Sequence, residues 1–482
     1  MAGEDIVMEL FIQAWLRFVE AFGWFIFVYM VFMICFYSLM LLFSFRQLRK
    51  EMHLNKYEMY EALMTEGATK PISILVPAYN EEAGIYDSVR SLLNIHYPEF
   101  EIIVINDGSK DNTMAVMIEK FNMKAVRKAV QTNIQTQPVH GVYRSVIFEN
   151  LYVIDKENGG KADALNAGLN LSNYPYFCSL DGDSILEQDA FLKVMKPIVD
   201  SNGEVIASGG SIRIANGCKI EGGQMLEIGL SKNPLVVLQV IEYLRAFLMG
   251  RIGLSYRNWL LIVSGAFGVF SKSWVLEAGG YKRDTVGEDM ELVVHLHRLI
   301  KEKKATKKIV YIPEPVCWTE APEDMTYLRR QRSRWHRGLF ESLLAHRKLL
   351  FNPKYGSIGF VSLPYFWFIE AIGPLVELGG YLFFFLSLFL GGVYIEFGIV
   401  LLLLSVLYGS VFSMFAVVLE EWSMRRYPKV SDVIRLFFYS LTETFWYRPL
   451  TVFWRLEGFI QFLRRKHTWG EMKRKGLSGG SS

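Results

Sequence analysis

Cysteine is scarce and scattered in this chain, with Cys35, Cys178, Cys218 and Cys317 the only four in 482 residues. None stands in a CxxC pair or beside a histidine, so neither a disulfide framework nor a zinc site is indicated, and a reducing, cytosolic setting follows for the main domain. Net charge is also small. At +3, with no basic stripe interleaved with aromatics near the chemistry-bearing stretches, nucleic acid is not an expected partner. What is abundant is apolar surface: 51% of residues are hydrophobic and the mean hydropathy is +0.20. The length admits two or more domains, and this composition fits a membrane protein carrying a soluble domain.

The apolar material is unevenly placed. Between residues 4 and 20, Glu9, Gln13, Arg17 and Glu20 form one polar stripe against Leu10, Phe11, Ala14, Trp15, Phe18 and Val19, the pattern of a helix lying in a membrane interface. Residues 22–45 carry no charge and are long enough to cross a bilayer, and Arg46, Arg49 and Lys50 follow at once. By the positive-inside rule the next domain lies in the cytoplasm. Toward the other end, residues 378–395 and 397–419 are uncharged and read as a hairpin turning at Glu396. Residues 357–371 and 432–462 contain Glu370, Arg435, Glu443, Arg448, Arg455 and Glu457. Charge at bilayer depth is expensive, so these segments are expected to lie in the interface, to break into a hairpin at Pro449, or to line a polar passage.

Residues 70–340 alternate strand-like and helix-like segments, the pattern of a mostly parallel sheet with crossover helices. In such sheets ligands sit beyond the carboxyl ends of the strands. One strand, residues 72–76, ends in Pro77-Ala78-Tyr79-Asn80-Glu81-Glu82, and the next ends in Asn106-Asp107-Gly108-Ser109. A Gly-rich turn, Gly159-Gly160-Lys161-Ala162-Asp163, then opens a helix. The buried run 175–180 closes in Asp181-Gly182-Asp183, two carboxylates that suit a hard cation holding a diphosphate. The tripeptide alone is equally a solvated turn. A strand-like run over residues 260–268 follows, and later Gly287-Glu288-Asp289 opens a helix, where the acid pair could be no more than a cap. His295 and His297 read as helix-surface histidines, since no carboxylate-rich companion motif is nearby. Gln331-Arg332-Ser333-Arg334-Trp335 comes last, its Arg334-Trp335 pair open to an interfacial-anchor reading as well.

In this order, PAYNEE, NDGS, GGKADALN, DGD, GED and QRSRW resemble the membrane-integrated family 2 glycosyltransferases, among them cellulose, chitin, hyaluronan and poly-N-acetylglucosamine synthases. The resemblance implies an α/β GT-A (Rossmann-like) cytosolic domain inserted between transmembrane α-helices. The implied boundaries are 1–50 for an interface helix and transmembrane helix, 70–340 for the GT-A domain and 341–463 for interface and transmembrane helices. Residues 464–482 would be a basic cytosolic tail, whose final Gly479-Gly480-Ser481-Ser482 reads as an artificial appendage.

The resemblance also implies roles. Tyr79, Glu81, Asp107 and Lys161 would cradle the uridine, Asp181 would hold the donor, and Asp183 would hold Mg2+ or Mn2+. Asp289, within Glu288-Asp289, would be the catalytic base. Gln331 and Arg334 would complete the donor site, with Arg334 toward the diphosphate. Trp335, Phe267 and Gly268 would line the acceptor side, although small-residue packing explains the last two nearly as well. The implied activity is inverting, metal-dependent, processive transfer from a UDP-sugar to a growing polysaccharide, coupled to its translocation across the plasma (inner) membrane by a multi-pass protein. The implied partners are the UDP-sugar donor, a glycan acceptor, the lipid bilayer and an accessory membrane or export subunit. Two other readings remain at this point: transfer of one sugar to a membrane lipid, and a catalytically silent scaffold.

Overall fold

The computed structural model describes residues 2–52, 69–182, 184–221, 224–390, 400, 403, 404 and 406–464. Its centre is a mixed sheet, ten-stranded among those residues, in the order β3-β4-β5-β2-β1-β6-β11-β8-β12-β7. The strands are β1 (Ile72–Ala78), β2 (Phe100–Asp107), β3 (Met123–Ala125), β4 (Val139–Ser145), β5 (Leu151–Lys156) and β6 (Tyr176–Leu180). There follow β7 (Ile185–Leu186), β8 (Val205–Ile214), β9 (Lys219–Glu221), β10 (Gln224–Glu227), β11 (Phe267–Ser271) and β12 (Lys308–Thr319). β9 and β10 form a separate two-stranded ribbon.

β1 and β2 are almost wholly buried, as their unbroken apolar runs require of parallel strands covered on both faces. β5, β2, β1 and β6 run parallel, with Ile74 opposite both Ile102 and Cys178. The chain leaves β1 for β2 and β5 on one side and returns to β6 on the other. This strand-order reversal opens a crevice beyond the carboxyl ends of β1 and β6, where open α/β sheets take their ligands.

The rest of the sheet departs from the mostly parallel expectation. β11 is antiparallel to both β6 and β8, and β4 is antiparallel to β5. The strand expected over residues 260–268 begins only at Phe267. The stretch before it, 259–264, is irregular, and Arg251 donates to the Val263 carbonyl at 2.6 Å.

The helices that matter for function are α1 (Ala2–Met52), α2 (Lys161–Leu171), α3 (Pro234–Tyr243), α4 (Glu288–Glu302), α5 (Met325–Ala345), α6 (Gly373–Leu390), α7 (Phe412–Ser423) and α8 (Val430–Leu463). α1 is continuous: where the polar stripe suggested an interface helix separate from the crossing one, no break occurs. It is long and apolar enough to cross a membrane, and the bent pair Ile358–Ala371 and Gly373–Phe385, at 41°, makes a second candidate if it is one span. The turn expected at Glu396 lies outside the described residues.

α8 does not break at Pro449, which sits inside it. Its charges are matched by other elements instead. Glu443 meets Arg245 at 2.9 Å, Arg448 meets Glu377 at 2.5 Å, Arg455 meets Glu370 at 3.3 Å, and Glu457 meets Arg329 at 2.6 Å. Partnering of this kind offsets part of the cost of placing charge on an apolar helix. A second apolar core, including Val236, Ile241, Tyr447 and Trp454, packs α3 against α8.

Candidate active site

The loops after β1 and β2 are tied together. Asn80, in a left-handed conformation at φ 56°, accepts from the Lys110 amide at 2.8 Å, and its own amide donates to Ser109 Oγ at 3.0 Å. The Glu81 amide donates to Thr113 Oγ1 at 2.9 Å. These bonds hold Tyr79 and Glu81 at one edge of the crevice. Gly108, at φ +66°, lies so close to Asn158 that a β-carbon would come within 2.7 Å of its amide nitrogen. Only glycine fits there.

Asp107 is the knot of the next layer. Its carboxylate accepts the Gly159 and Gly160 amides at 3.0 and 2.8 Å and pairs with Lys156 at 2.6 Å. Lys156, fully buried, also meets Asp163 at 2.7 Å, and Asp163 receives Arg283 at 3.1 Å. This network sets the Gly-rich turn and so aims Lys161, the first residue of α2, across the cavity. The Lys161 ammonium donates to Asp181 Oδ1 at 2.5 Å and to the Gly265 carbonyl at 2.9 Å, and it lies 3.8 Å from Glu288. Burial pushes that ammonium down, but Asp181 and Glu288 outweigh it and hold the group above its ordinary range.

Glu288 is buried at 7% exposure. Burial and the neighbouring Asp289 raise its carboxyl to about 7 even though Lys161 pulls the other way. A β-carbon placed on Gly265 would stand 3.2 Å from Asp289 Oδ2 and 3.4 Å from Lys161 Nζ. The absent side chain therefore leaves the acid pair and the lysine open to one space.

From the other wall, α5 contributes Gln331, Arg334 and Trp335. Arg332, to which the sequence assigned no role, is buried between them. It pairs with Glu242 at 2.7 Å, donates to Gln331 Oε1 at 2.5 Å, and lies over the Trp335 ring at 4.4 Å. Tyr447 donates to the same Glu242 at 2.9 Å. The i, i+3 spacing of Arg332 and Trp335 on a helix was the available signal; the partners on α3 and α8 were not visible in it.

One cavity of roughly 1810 Å³ is lined by Tyr79, Glu81, Asp107, Lys161, Asp181, Glu288, Asp289, Gln331, Arg334 and Trp335. It also reaches Phe247, Arg251, Phe366 and Glu370, on the widened π-helical turns Leu244–Arg251 and Tyr365–Ala371. Asp183 lies outside the described residues. Phe267 and Gly268 do not join the lining. Phe267 is fully buried in β11 with its ring 5.7 Å from Phe191, and the Gly268 α-carbon faces Phe270. The cavity-facing residues are their predecessors Ser264, Gly265 and Ala266, because strand alternation and pairing with β6 turn Phe267 into the core.

A mixed α/β sheet with carboxylates, a lysine and an arginine converging at its parallel strand ends defines a GT-A-like glycosyltransferase. The family described as Glycosyltransferase like family 2 matches residues 70–338, and the chain belongs to that family. Similar curated proteins include the poly-beta-1,6-N-acetyl-D-glucosamine synthases of Staphylococcus epidermidis and Staphylococcus aureus (strain COL). Each is 32% identical over 275 residues, 57% of this chain and 55% of the relative, so the match spans about half the length of those relatives. Among solved structures, a mannosyltransferase from Pyrobaculum calidifontis in complex with GDP-Man and Mn2+ is similar at TM-score 0.52 and 14% identity, covering 93% of this chain and 100% of that one. That likeness shows the fold.

Proposed function

We propose that this chain is a metal-dependent, processive polysaccharide synthase that takes its sugar from a UDP-sugar and passes the product through its own helices. The observation that carries the reading is the extent of the cavity, which runs from the β1 and β6 ends past Asp289 and Trp335 to Phe366 and Glu370 among the helical elements. A chain growing at Asp289 needs room beyond the transfer site, and that continuation supports the reading by offering it. The names of the curated relatives make UDP-N-acetylglucosamine the first donor to try.

In this reading Tyr79, Glu81 and Asp107 hold the nucleoside, with Asp107 acting through the turn it fastens as well as by lining the cavity. Asp181, a hard oxygen donor at a strand end with 29% of its side chain exposed, fits a Mg2+ or Mn2+ site together with Asp183. Such an ion supplies charge to the departing diphosphate. Arg334 supports the same charge from the opposite wall. Asp289 accepts the acceptor hydroxyl proton. Glu288, held near Lys161, shapes the field around Asp289. Trp335 gives the acceptor sugar a flat apolar platform. In this reading the protein is a multi-pass protein of the plasma (inner) membrane, with the sheet domain cytoplasmic and an accessory export subunit beside it; α1, long and apolar enough to cross, and the bent pair, a second candidate if it is one span, support that reading.

The deciding experiment incubates the purified full chain with UDP-N-acetylglucosamine and other UDP-sugars in Mg2+ or Mn2+ and sizes the product. Polymer sensitive to a linkage-specific glycosidase supports the proposal. A product that stops at one sugar and partitions with lipid would replace it with the lipid-acceptor reading, and no turnover of any UDP-sugar would leave a scaffold.

A further inference from the structure

Glu291 and His295 stand at i and i+4 on α4, the spacing that stacks two side chains on one helix face. His346, the residue that ends α5, brings a third donor over them, and the rings of His295 and His346 are 5.5 Å apart between centroids. Nε2 of His346 lies 2.9 Å from Oε1 of Glu291, and Nδ1 of His295 lies 3.9 Å from the same oxygen. One ligand atom from each residue falls within 4.8 Å of the other two. Zinc bonds of about 2.0–2.1 Å to nitrogen and oxygen set neighbouring tetrahedral ligands roughly 3.3 Å apart, between the two observed spacings.

The cluster is short of positive charge. Glu291 and His346 are 3% and 4% exposed, and Oε2 of Glu291 and Nδ1 of His346 have no hydrogen-bond partner among the described residues. A buried carboxylate with one oxygen unserved is costly, and a neutral imidazole does not balance its charge. The His295 side chain keeps 31% of its surface, enough for an ion to enter and for water to complete the coordination.

We propose that Glu291, His295 and His346 form a second metal site, built for a transition ion such as Zn2+ and distinct from the carboxylate site at Asp181. Two imidazoles and one carboxylate suit zinc, whereas Mg2+ and Mn2+ prefer oxygen. The ion pins the first half of α4 to the end of α5. Those helices carry Glu288-Asp289 and Gln331 to Trp335, so the site is a positioning clamp behind the cavity.

Cobalt(II) tests this on the purified full chain without nucleotide, because a four-coordinate imidazole site gives intense visible bands that an all-oxygen octahedral site does not. The expected result is one equivalent of Co2+ with those bands, displaced by Zn2+, and a Zn2+-dependent rise in Tm. His295→Ala, at a half-buried position, and the near-isosteric Glu291→Gln should each weaken binding at least about tenfold and abolish the bands and the Tm rise. Asp181→Asn should keep all three. Wild-type protein that shows no bands, or bands that survive in both His295→Ala and Glu291→Gln, would overturn the proposal.

Discussion

The backbones of Gly287 and Gly338 meet with no space for a side chain on either: a β-carbon on Gly287 would fall 2.8 Å from the Gly338 carbonyl oxygen, and one on Gly338 would fall 2.9 Å from the Gly287 α-carbon. Gly287 immediately precedes the acid pair, and Gly338 is three residues beyond Trp335. Ser342, one turn further along α5, donates to the Gly287 carbonyl at 3.1 Å. This contact fixes the distance between the carboxylates and the arginine-tryptophan wall.

Gly338→Ala should therefore force the two helices apart. Overpacking of this kind costs about 1–3 kcal/mol, so Tm should fall while the protein still folds. Sugar transfer should drop by more than UDP affinity does. Unchanged transfer would show that the spacing is not set at this contact.

Asp289→Asn should retain UDP and metal binding while transfer falls by roughly two to four decades, the usual range for losing a general base. Calorimetric UDP binding alongside a transfer assay checks both halves. Near-normal transfer would return Asp289 to capping α4, where its Oδ1 already accepts the Met290 amide at 2.8 Å.

Glu288 ties stability to pH. Its carboxyl titrates at about 7 in the folded chain against about 4.3 in an unfolded one. Between those values the folded protein keeps a proton that the unfolded chain has lost. The stabilisation is full below about 4.3 and is lost as pH rises toward 7. Glu288→Gln cannot titrate, so the Tm of the wild type minus that of the mutant should decline over this window and level off above it. A flat difference would mean that Glu288 ionises normally.

For the catalytic ion, UDP release should stop in excess EDTA and return with Mn2+ or Mg2+, and Asp183→Asn should lose the response. Removing an ion that stabilises the leaving group costs several kcal/mol, which is several decades of rate. Full activity in EDTA would reject the ion.

Trp335, 43% exposed and held by Arg332 at 4.4 Å, should matter for elongation and not for donor binding. Trp335→Ala removes a platform worth about 1–3 kcal/mol, so polymer yield should collapse while UDP affinity stays within a few fold. Product length on gels with UDP binding measured in parallel tests this, and polymer of unchanged length would remove the residue from the acceptor path.

Much of the site was legible because its residues sit where strands and helices begin and end, and those boundaries are written locally. Buried runs such as residues 72–76 and 175–180 carry a strong local strand pattern, and here the polar residues that stop each run are carried to the same sheet edge. Thus Tyr79, Asp107, Lys161, Asp181 and Asp289 share one cavity, as the motif order implied. Local pattern could not decide which way a strand runs or where it starts. Phe267 and Gly268 went to the core because β11 pairs antiparallel with β6, a choice made by long-range hydrogen bonding. Nor could it decide the fate of a charge on an apolar helix. Glu242, Arg332, Glu443 and Arg448 look expensive singly, and only tertiary packing supplies their partners. The same holds for His295, whose i+4 neighbour Glu291 was in plain view but whose third companion, His346, arrives from 51 residues away through the fold.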